Sequence, residues 1–205
     1  MRARSGHAAA MATLVLLRHG QTEWSRDGRH TGQTNVPLTD VGRDQARALH
    51  PAMSRFHFGL VLVSPRSRAV ETASLAGLGD PTVDEDLVEW DYGEYEGITT
   101  PQIRESLGRP WNMWQEGAPG GERASDVGRR IDRVLARVEP VLASGRDVCL
   151  VAHGHSLRVV TARWLGLDPA AGAHFVLDTG TVSELGLEHE RHAVLGWNIP
   201  ACGYT

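Results

Sequence analysis

Three short, continuous apolar runs are separated along this chain by longer stretches with helical periodicity, and this alternation limits the folds available to it. The runs are Thr13–Leu17, Leu60–Val63 and Asp147–Ala152. Each has the length and composition of a strand that is covered on both faces. Strands that alternate with helices form right-handed crossovers, so we expect an α/β fold with a mainly parallel central sheet and helices on both faces.

The segments between and after these runs carry helix and hairpin signals. The expected helices run from an N-cap at Thr39 to about Ala52, from Arg68 through Ala73 to a stop at Gly77, from a start at Thr100 with Pro101 in the first helical position, over Arg123–Leu142, and over Ser156–Leu165. A short strand is expected from Val83 to Val88, and an antiparallel hairpin from Val182–Leu187 and Ala193–Trp197. We predict one domain over residues 13–205, with a helical capping segment at about residues 91–125, after a disordered extension at residues 1–12.

Composition argues against several classes of function. The formal net charge of −4 and the isoelectric point near 6.2 give no support for binding to nucleic acid or to a membrane surface. No apolar run approaches the ~20 residues that span a bilayer. Cys149 and Cys202 form no disulfide framework, which favours a reducing, cytoplasmic location. All 21 basic residues are arginine, so cationic contacts to a phosphate must come from arginine or histidine.

Arginine and histidine follow the apolar runs. Arg18-His19-Gly20 follows the first run, Ser64-Pro65-Arg66 the second, and His153-Gly154-His155 the third. The carboxyl ends of parallel strands meet at one edge of a sheet, where open α/β folds bind their ligands. The sequence therefore predicts a site rich in arginine and histidine at that edge.

These residues lie in motifs that resemble those of the histidine phosphatase superfamily, also called the phosphoglycerate mutase-like fold. The resemblance covers roughly Leu14 to Leu165 and keeps the family's order. Its motifs are Leu17–Trp24, Thr31-Gly32, Pro37–Gly42, Ser64–Ala73, Glu89–Gly97, Gly120–Glu122 and Val151–Gly154. Within the superfamily the chain resembles in particular the short actinobacterial acid phosphatases, through Gly28–Gly32 and Glu89–Gly93.

The resemblance implies a phosphoryl-transfer site that needs no metal or other cofactor. His19 would be the nucleophile, with one ring nitrogen attacking phosphorus while a carbonyl group holds the proton on the other. Arg18 and Arg66 would clamp the phosphoryl oxygens, and a protonated His153 would add a third positive charge. Gly20, which has no Cβ, would let the backbone approach the phosphate.

Glu89 matches the position of the family's general acid, which protonates the leaving group and later takes a proton from water. Burial near Trp90 and Tyr92 is expected to raise the pKa of Glu89, while the charges of the arginines oppose that rise. Glu85 and Glu94 are the alternative acids.

Further residues are expected to bind the substrate. They are Ser25, Thr31, Gly32, Gln33, Gly154 and His155. Thr31, Gly32 and Gln33 would line the pocket mouth and offer backbone N–H groups. Many relatives carry asparagine where this chain has Ser25, whose hydroxyl has a shorter reach. No third ligand matches the spacing of His153 and His155, so we expect no metal site.

These features predict a broad-specificity phosphomonoesterase with an acidic optimum, which converts small-molecule phosphate esters and releases inorganic phosphate. A cofactor-dependent phosphoglycerate mutase is the first alternative, although the stretch Tyr92–Gly121 is short and lysine is absent. A phosphate-binding module without turnover is the second. The edge strand of the hairpin leaves room for a homodimer.

Four large side chains in or beside the capping segment bear on substrate choice. They are Trp90, Trp111, Met113 and Trp114. They form either an apolar wall that suits aromatic phosphate esters, or the contact that packs the capping segment against the sheet.

Overall fold

A six-stranded sheet forms the centre of the structure, a computed structural model that describes residues 12–204. The predicted extension at residues 1–12 lies, apart from Ala12, outside the described residues. The strands are β1 (Leu14–Arg18), β2 (Phe58–Val63), β3 (Thr82–Val83), β4 (Asp147–Ala152), β5 (Thr181–Glu188) and β6 (Arg191–Pro200). Their order is β3-β2-β4-β1-β5-β6, parallel from β3 to β1 and antiparallel at β5 and β6. The mainly parallel sheet and the C-terminal hairpin are confirmed.

Helices cover both faces of this sheet. They are α1 (Glu23–Arg26), α2 (Asp40–Ala48), α3 (His50–Met53), α4 (Ser67–Leu75), α5 (Thr100–Leu107), α6 (Met113–Glu116), α7 (Ala124–Ala143) and α8 (Gly154–Trp164). Leu14 and Leu16 point into a core shared with α7 and α8, whereas Val15 and Leu17 point into a second core shared with α3 and α4. Because successive strand residues face opposite sides, two buried faces require an unbroken apolar run.

Two predicted elements differ from the structure. The helix expected to run from Thr39 to Ala52 is interrupted at Leu49, where α2 ends and α3 begins. Pro51 has no N–H to continue the helical ladder, so the chain restarts there. The strand expected over Val83–Val88 stops at Val83, because the side chain of Asp84 accepts from the N–H of Asp86 and starts a 3-10 turn. Helix α5 begins at Thr100 as expected, but Pro101 is its second residue and not its first.

The capping segment packs on the face that α7 and α8 cover. Ile103, Trp111 and Met113 are buried in the core of that face. The indole N–H of Trp111 donates to Gly117 O at 3.1 Å, and that of Trp90 donates to Glu122 O at 2.8 Å. These side chains therefore hold the segment against the sheet. Of the two roles considered from the sequence, packing rather than an apolar wall for substrate applies to Trp90, Trp111 and Met113.

Strand β4 brings the functional ends together. It lies between β1 and β2, with Arg18 beside Ala152 and Val63 beside Val151. The N–H of His19 continues the ladder to Ala152 O at 3.0 Å. Three strands thus end at one level of the sheet. No helix in residues 12–204 is long and apolar enough to cross a bilayer.

Candidate active site

A cavity of about 190 Å³ lies beyond the carboxyl ends of β1 and β4. Seven of the expected site residues line it: Arg18, His19, Ser25, Thr31, Glu89, Gly154 and His155. Cavities of greater volume lie elsewhere, but none of those described is lined by the arginine and histidine residues that follow β1 and β4. The residues that line this cavity, rather than its volume, therefore identify it as the candidate site.

His19 is held as a neutral imidazole with a defined tautomer. Its Nδ1 lies 2.7 Å from Gly20 O, and a carbonyl oxygen only accepts, so Nδ1 carries the proton. The lone pair is then on Nε2. Burial and the positive charges of Arg68 and Arg18 hold the pKa of His19 well below its usual value. This ring has what a nucleophile needs near neutral pH, a free nitrogen lone pair.

Arg18 places a guanidinium group in the same cavity. Its Nη1 donates to Leu177 O, while its buried Nε has no hydrogen-bond partner in residues 12–204. A Cβ on Gly154 would lie 3.2 Å from Arg18 Cζ, so the absence of a side chain there lets the guanidinium lie close over the start of α8. A buried N–H donor without a partner is suited to an anionic ligand.

His153 lies behind His19, with ring centroids 5.1 Å apart. Arg68 Nε donates to His153 Nδ1 at 3.2 Å, so that nitrogen carries no proton, and Nε2–H donates to Ser64 Oγ at 2.7 Å. Burial and the charge of Arg68 hold the pKa of His153 well below its usual value. The ring is therefore neutral in the absence of substrate, and the positive charge expected from it in the complex stays a prediction.

Arg68, rather than Arg66, is the arginine of its motif that is buried at the site. Arg68 is 0% exposed and donates to the carbonyl oxygens of Thr34, Thr31 and Gly32 as well as to His153. Burial lowers the pKa of Arg68 to about 10, which leaves it charged. The helical face that it shares with Ala69, Thr72 and Ala73 was the available signal.

Arg66 is the N-cap residue of α4, is only half-buried and does not line the cavity. Its Nη2 donates to Gln33 Oε1, and Gln33 itself is exposed. The buried Nε of Arg66, like that of Arg18, has no hydrogen-bond partner in residues 12–204, so phosphate binding by Arg66 and Gln33 stays a prediction.

Glu89 is buried, with 5% of the residue exposed. Its carboxylate lies at the N-terminus of α8. Its Oε1 accepts from the N–H groups of Trp90 and Ser156, both at 2.9 Å, and its Oε2 accepts from that of His155 at 3.0 Å. Burial acts to raise the pKa of Glu89, but hydrogen bonding at His155 outweighs it and holds the pKa well below the usual value. The raised pKa expected from the sequence is wrong for this structure.

Two of the expected glycines serve the packing of the loops. A Cβ on Gly20 would meet Gly42 O at 2.2 Å, and one on Gly32 would meet Trp90 O at 2.5 Å. Gly20 donates its N–H to Thr72 Oγ1 at 3.1 Å and does not line the cavity. Close backbone contact thus requires glycine at residue 20, and an approach of this backbone to a phosphate stays a prediction.

Ser25 and Thr31 line the cavity with hydroxyl groups that are already engaged. Ser25 Oγ donates to Thr22 O at 3.0 Å and accepts from the N–H of Thr22 at 2.9 Å, as part of a capping box. Thr31 Oγ1 donates to Arg29 O at 3.1 Å. The hydroxyl of Ser25 is therefore used to start α1, and its proton does not point to a ligand.

Six cavity residues were not identified as site residues from the sequence, and His30, Tyr92 and Arg158 are among them. His30 and Tyr92 stand inside the family motifs, with ring centroids 4.7 Å apart. Burial lowers the pKa of His30 to about 4, so the ring is neutral. Arg158 follows Gly154 by four residues on α8, and this helical spacing was the available signal.

No group of three or more metal-ligating side chains lies close together in residues 12–204. His153 and His155 are instead engaged by Ser64, Arg68 and Tyr92.

Comparison with known proteins identifies the family. Residues 14–200 match the sequence profile of the histidine phosphatase superfamily (branch 1). An acid phosphatase of Mycobacterium tuberculosis is 46% identical over 187 residues, which cover 89% of this chain and 91% of that protein. A 2,3-bisphosphoglycerate-dependent phosphoglycerate mutase of Cytophaga hutchinsonii is 33% identical over 181 residues, which cover 83% of this chain and 85% of the mutase.

The solved structure of an open reading frame of Mycobacterium tuberculosis has a TM-score of 0.88 and 43% sequence identity to this chain, covering 93% of it and 98% of that chain. That solved structure shares this architecture, and the relatives by sequence include both a phosphatase and a mutase.

Proposed function

The chain belongs to the histidine phosphatase superfamily, and on that premise we propose that it is a metal-independent phosphomonoesterase that hydrolyses small phosphate esters through a phosphohistidine on His19. The observation that carries the proposal is the tautomer of His19. Its Nδ1–H is held by Gly20 O, so the Nε2 lone pair is available beside the guanidinium of Arg18. The similarity to an acid phosphatase supports hydrolysis of phosphate esters.

In the first step, Nε2 of His19 attacks phosphorus and the bond to the ester oxygen breaks. The leaving oxygen takes a proton, and we assign Glu89 as the donor of that proton. Arg18 would hold the phosphoryl oxygens directly, and Arg68 adds a second fixed charge near His19. Preorganised charge of this kind is the main source of catalysis in phosphoryl transfer.

In the second step, water attacks phosphorus, Glu89 takes a proton from it, and the P–N bond breaks to release inorganic phosphate and neutral His19. Glu89 must first hold a proton, although its pKa is low in the structure. The negative charge of a bound phosphoryl group raises the pKa of a nearby carboxyl. The protonated fraction also rises as the pH falls, which is why we expect an acidic optimum.

The test is hydrolysis of p-nitrophenyl phosphate from pH 4 to 8 in EDTA. We expect turnover by the wild type and a loss of about 10⁴-fold or more in kcat/KM for His19→Ala. The matched control is His57→Ala, because His57 is exposed and precedes β2 at the opposite end of the strands. Turnover by His19→Ala within tenfold of the wild type would contradict the proposal.

The second candidate is the mutase, which the relative at 33% identity favours. If the wild type releases no phosphate at any pH, the next assay is isomerisation of 3-phosphoglycerate with its bisphosphate cofactor. Activity in that assay, lost in His19→Ala, would assign the same nucleophile to a mutase. Inactivity in both assays would favour a binding module.

A further inference from the structure

The segment that carries Glu89 has no regular backbone hydrogen bonding of its own. Between the 3-10 turns Glu85–Leu87 and Gly93–Tyr95 the chain is neither helix nor strand, and Glu89 lies within this stretch. Buried carbonyl groups in such a stretch need donors from elsewhere, since an unpaired buried carbonyl destabilises the fold. A donor from outside the segment is therefore needed to fix the backbone at residues 88 and 89.

Arg130 of α7 supplies these donors. It is 6% exposed, and the five N–H groups of its guanidinium make five hydrogen bonds. Nη1 donates to the carbonyl oxygens of Asp86 and Val88, both at 2.7 Å, and Nη2 donates to that of Glu89 at 3.2 Å. Nε and Nη2 also donate to the carboxylate of Glu122, at 2.9 and 3.0 Å. Three of the five bonds therefore hold the backbone that presents the side chain of Glu89.

Glu122 extends this contact to the residues that follow Glu89. Its Oε2 also accepts from the N–H of Asp91 at 2.9 Å, and its carbonyl oxygen accepts from the indole N–H of Trp90 at 2.8 Å. Charge-assisted hydrogen bonds of this kind are shorter and stronger than neutral ones. Arg130 and its ionic partner thus hold the chain on both sides of the residue assigned as general acid.

Arg130 does not line the active-site cavity, so any effect on the reaction must pass through Glu89. The carboxylate of Glu89 is held separately by N–H groups at the start of α8, so contacts from two helices together set its position. A proton passes to the leaving oxygen only over a hydrogen-bond distance of about 2.6–3.2 Å. A shift of the backbone at Glu89 would therefore weaken proton transfer and leave the nucleophile His19 in place.

We propose that Arg130, through its hydrogen bonds to the backbone of Val88 and Glu89 and its ion pair with Glu122, is a positioning residue for proton transfer by Glu89. The inference rests on the general-acid role that the proposed function assigns to Glu89. Loss of Arg130 is then expected to impair protonation of the leaving group and not attack by His19.

The experiment compares p-nitrophenyl phosphate with phenyl phosphate, which differ by one nitro group. The nitrophenolate ion leaves readily without a proton, whereas phenolate is more basic and depends more on a general acid. The readout is the ratio of kcat/KM for the first ester to that for the second, in which a loss of catalysis common to both esters cancels. Glu89→Gln is the reference and should raise this ratio by about tenfold or more, since a general acid contributes about 10²–10⁴-fold.

Arg130→Gln should raise the ratio in the same direction, by about threefold or more, because a displaced acid transfers its proton less well. Combined with Glu89→Gln it should raise the ratio no further, since both changes act on one proton transfer. Arg130→Lys keeps the positive charge but not the planar fork of donors, and its ratio should lie between those of the wild type and Glu89→Gln. If Arg130→Gln does not fold, Arg130→Lys replaces it, with folding checked by Tm.

The matched control is Arg133→Gln. Arg133 lies on the same helix and also contacts the segment before Glu89, but it is exposed and donates to the carboxylate of Asp86 rather than to the backbone at residues 88 and 89. This variant should keep the wild-type ratio.

A raised ratio in Glu89→Gln with a wild-type ratio in Arg130→Gln, or in its replacement, would overturn the inference, because Arg130 would then only stabilise the fold. A further rise in the double variant would also overturn it, since Arg130 would then act apart from Glu89. Failure of the proposed function has a different signature. Glu89→Gln would itself keep the wild-type ratio, or neither ester would be hydrolysed in a manner that depends on His19.

Discussion

The two sides of the cavity are built in different ways. On one side, side chains at the strand ends carry the expected phosphoryl chemistry, and on the other, rings from the loops and the start of α8 face the rest of the substrate. The phosphate side consists of Arg18, His19, Arg68 and His153, and the substrate side consists of His30, Tyr92 and His155.

The difference lies in how many hydrogen bonds fix Arg68 and His153 on the phosphate side, because His19 and Arg18 each make a single side-chain hydrogen bond in residues 12–204. Arg68 alone donates to four acceptors, and the ring nitrogens of His153 are both engaged. On the substrate side, His30 Nε2 has one partner, Thr100 Oγ1 at 3.2 Å, and Tyr92 Oη has one, His155. A densely bonded side keeps reacting groups in place, whereas a side held by single bonds can change its specificity at little cost to the fold.

The largest effect on stability is expected at Arg68. Arg68→Met leaves three carbonyl oxygens and His153 Nδ1 without their donor, and we expect the free energy of unfolding to fall by about 3 kcal/mol or more. Urea denaturation measures it. The matched control is Arg66→Met, where the loss of a half-buried side chain should cost below about 1 kcal/mol. Equal losses in the two variants would show that the phosphate side does not depend on Arg68.

Glu89→Gln tests the comparison through the pH dependence of stability. Because the pKa of Glu89 is lowered in the folded protein, its carboxylate stabilises the fold above the unfolded-state pKa, and this contribution is lost as the pH falls through the folded pKa. At pH 6 the variant should be less stable by about 2 kcal/mol, since neutral glutamine replaces a charged acceptor of three N–H groups. The difference should shrink towards pH 3.

Thermal unfolding of both proteins across this pH range is the measurement. The wild type should lose stability towards acid through Glu89, and the variant should lack that part of the loss, so the two curves should converge as the pH falls. A constant difference from pH 3 to 6 would mean that Glu89 is not a carboxylate with a lowered pKa.

The smallest effect is expected on the substrate side. Tyr92→Phe removes the single hydrogen bond to His155 and should lower the free energy of unfolding by about 1 kcal/mol. The measurement is again urea denaturation. A loss as large as that of Arg68→Met would show that the substrate side is also tightly fixed, and the contrast between the two sides would fail.

Much of this arrangement could be predicted from the sequence. Apolar runs located β1, β2 and β4, and motif order placed His19, Arg18 and Glu89 around one cavity. Patterns of this kind report which segments are buried, and parallel strands bring their ends together whatever the details of packing.

What could not be predicted depends on partners distant in sequence. Arg66 and Arg68 differ by two residues, and only the path of α4 decides which one turns inward. The pKa of Glu89 depends on N–H groups of residues 155 and 156, which a local interpretation of Trp90 and Tyr92 does not contain. Burial near aromatic rings predicted a raised pKa because that interpretation omitted the hydrogen bonds.

The contact between Gly20 and Gly42 has a consequence for motion. Each glycine lies so close to the backbone of the other segment that a Cβ would reach within 2.2 Å of a carbonyl oxygen. The loop after His19 and the first turn of α2 are also joined by hydrogen bonds from Thr39 to Gln21 and from Gln21 to Gln45. These two segments are therefore fixed to each other by close backbone contact and hydrogen bonds, and we expect any opening that admits a substrate to come from the loops of the opposite wall.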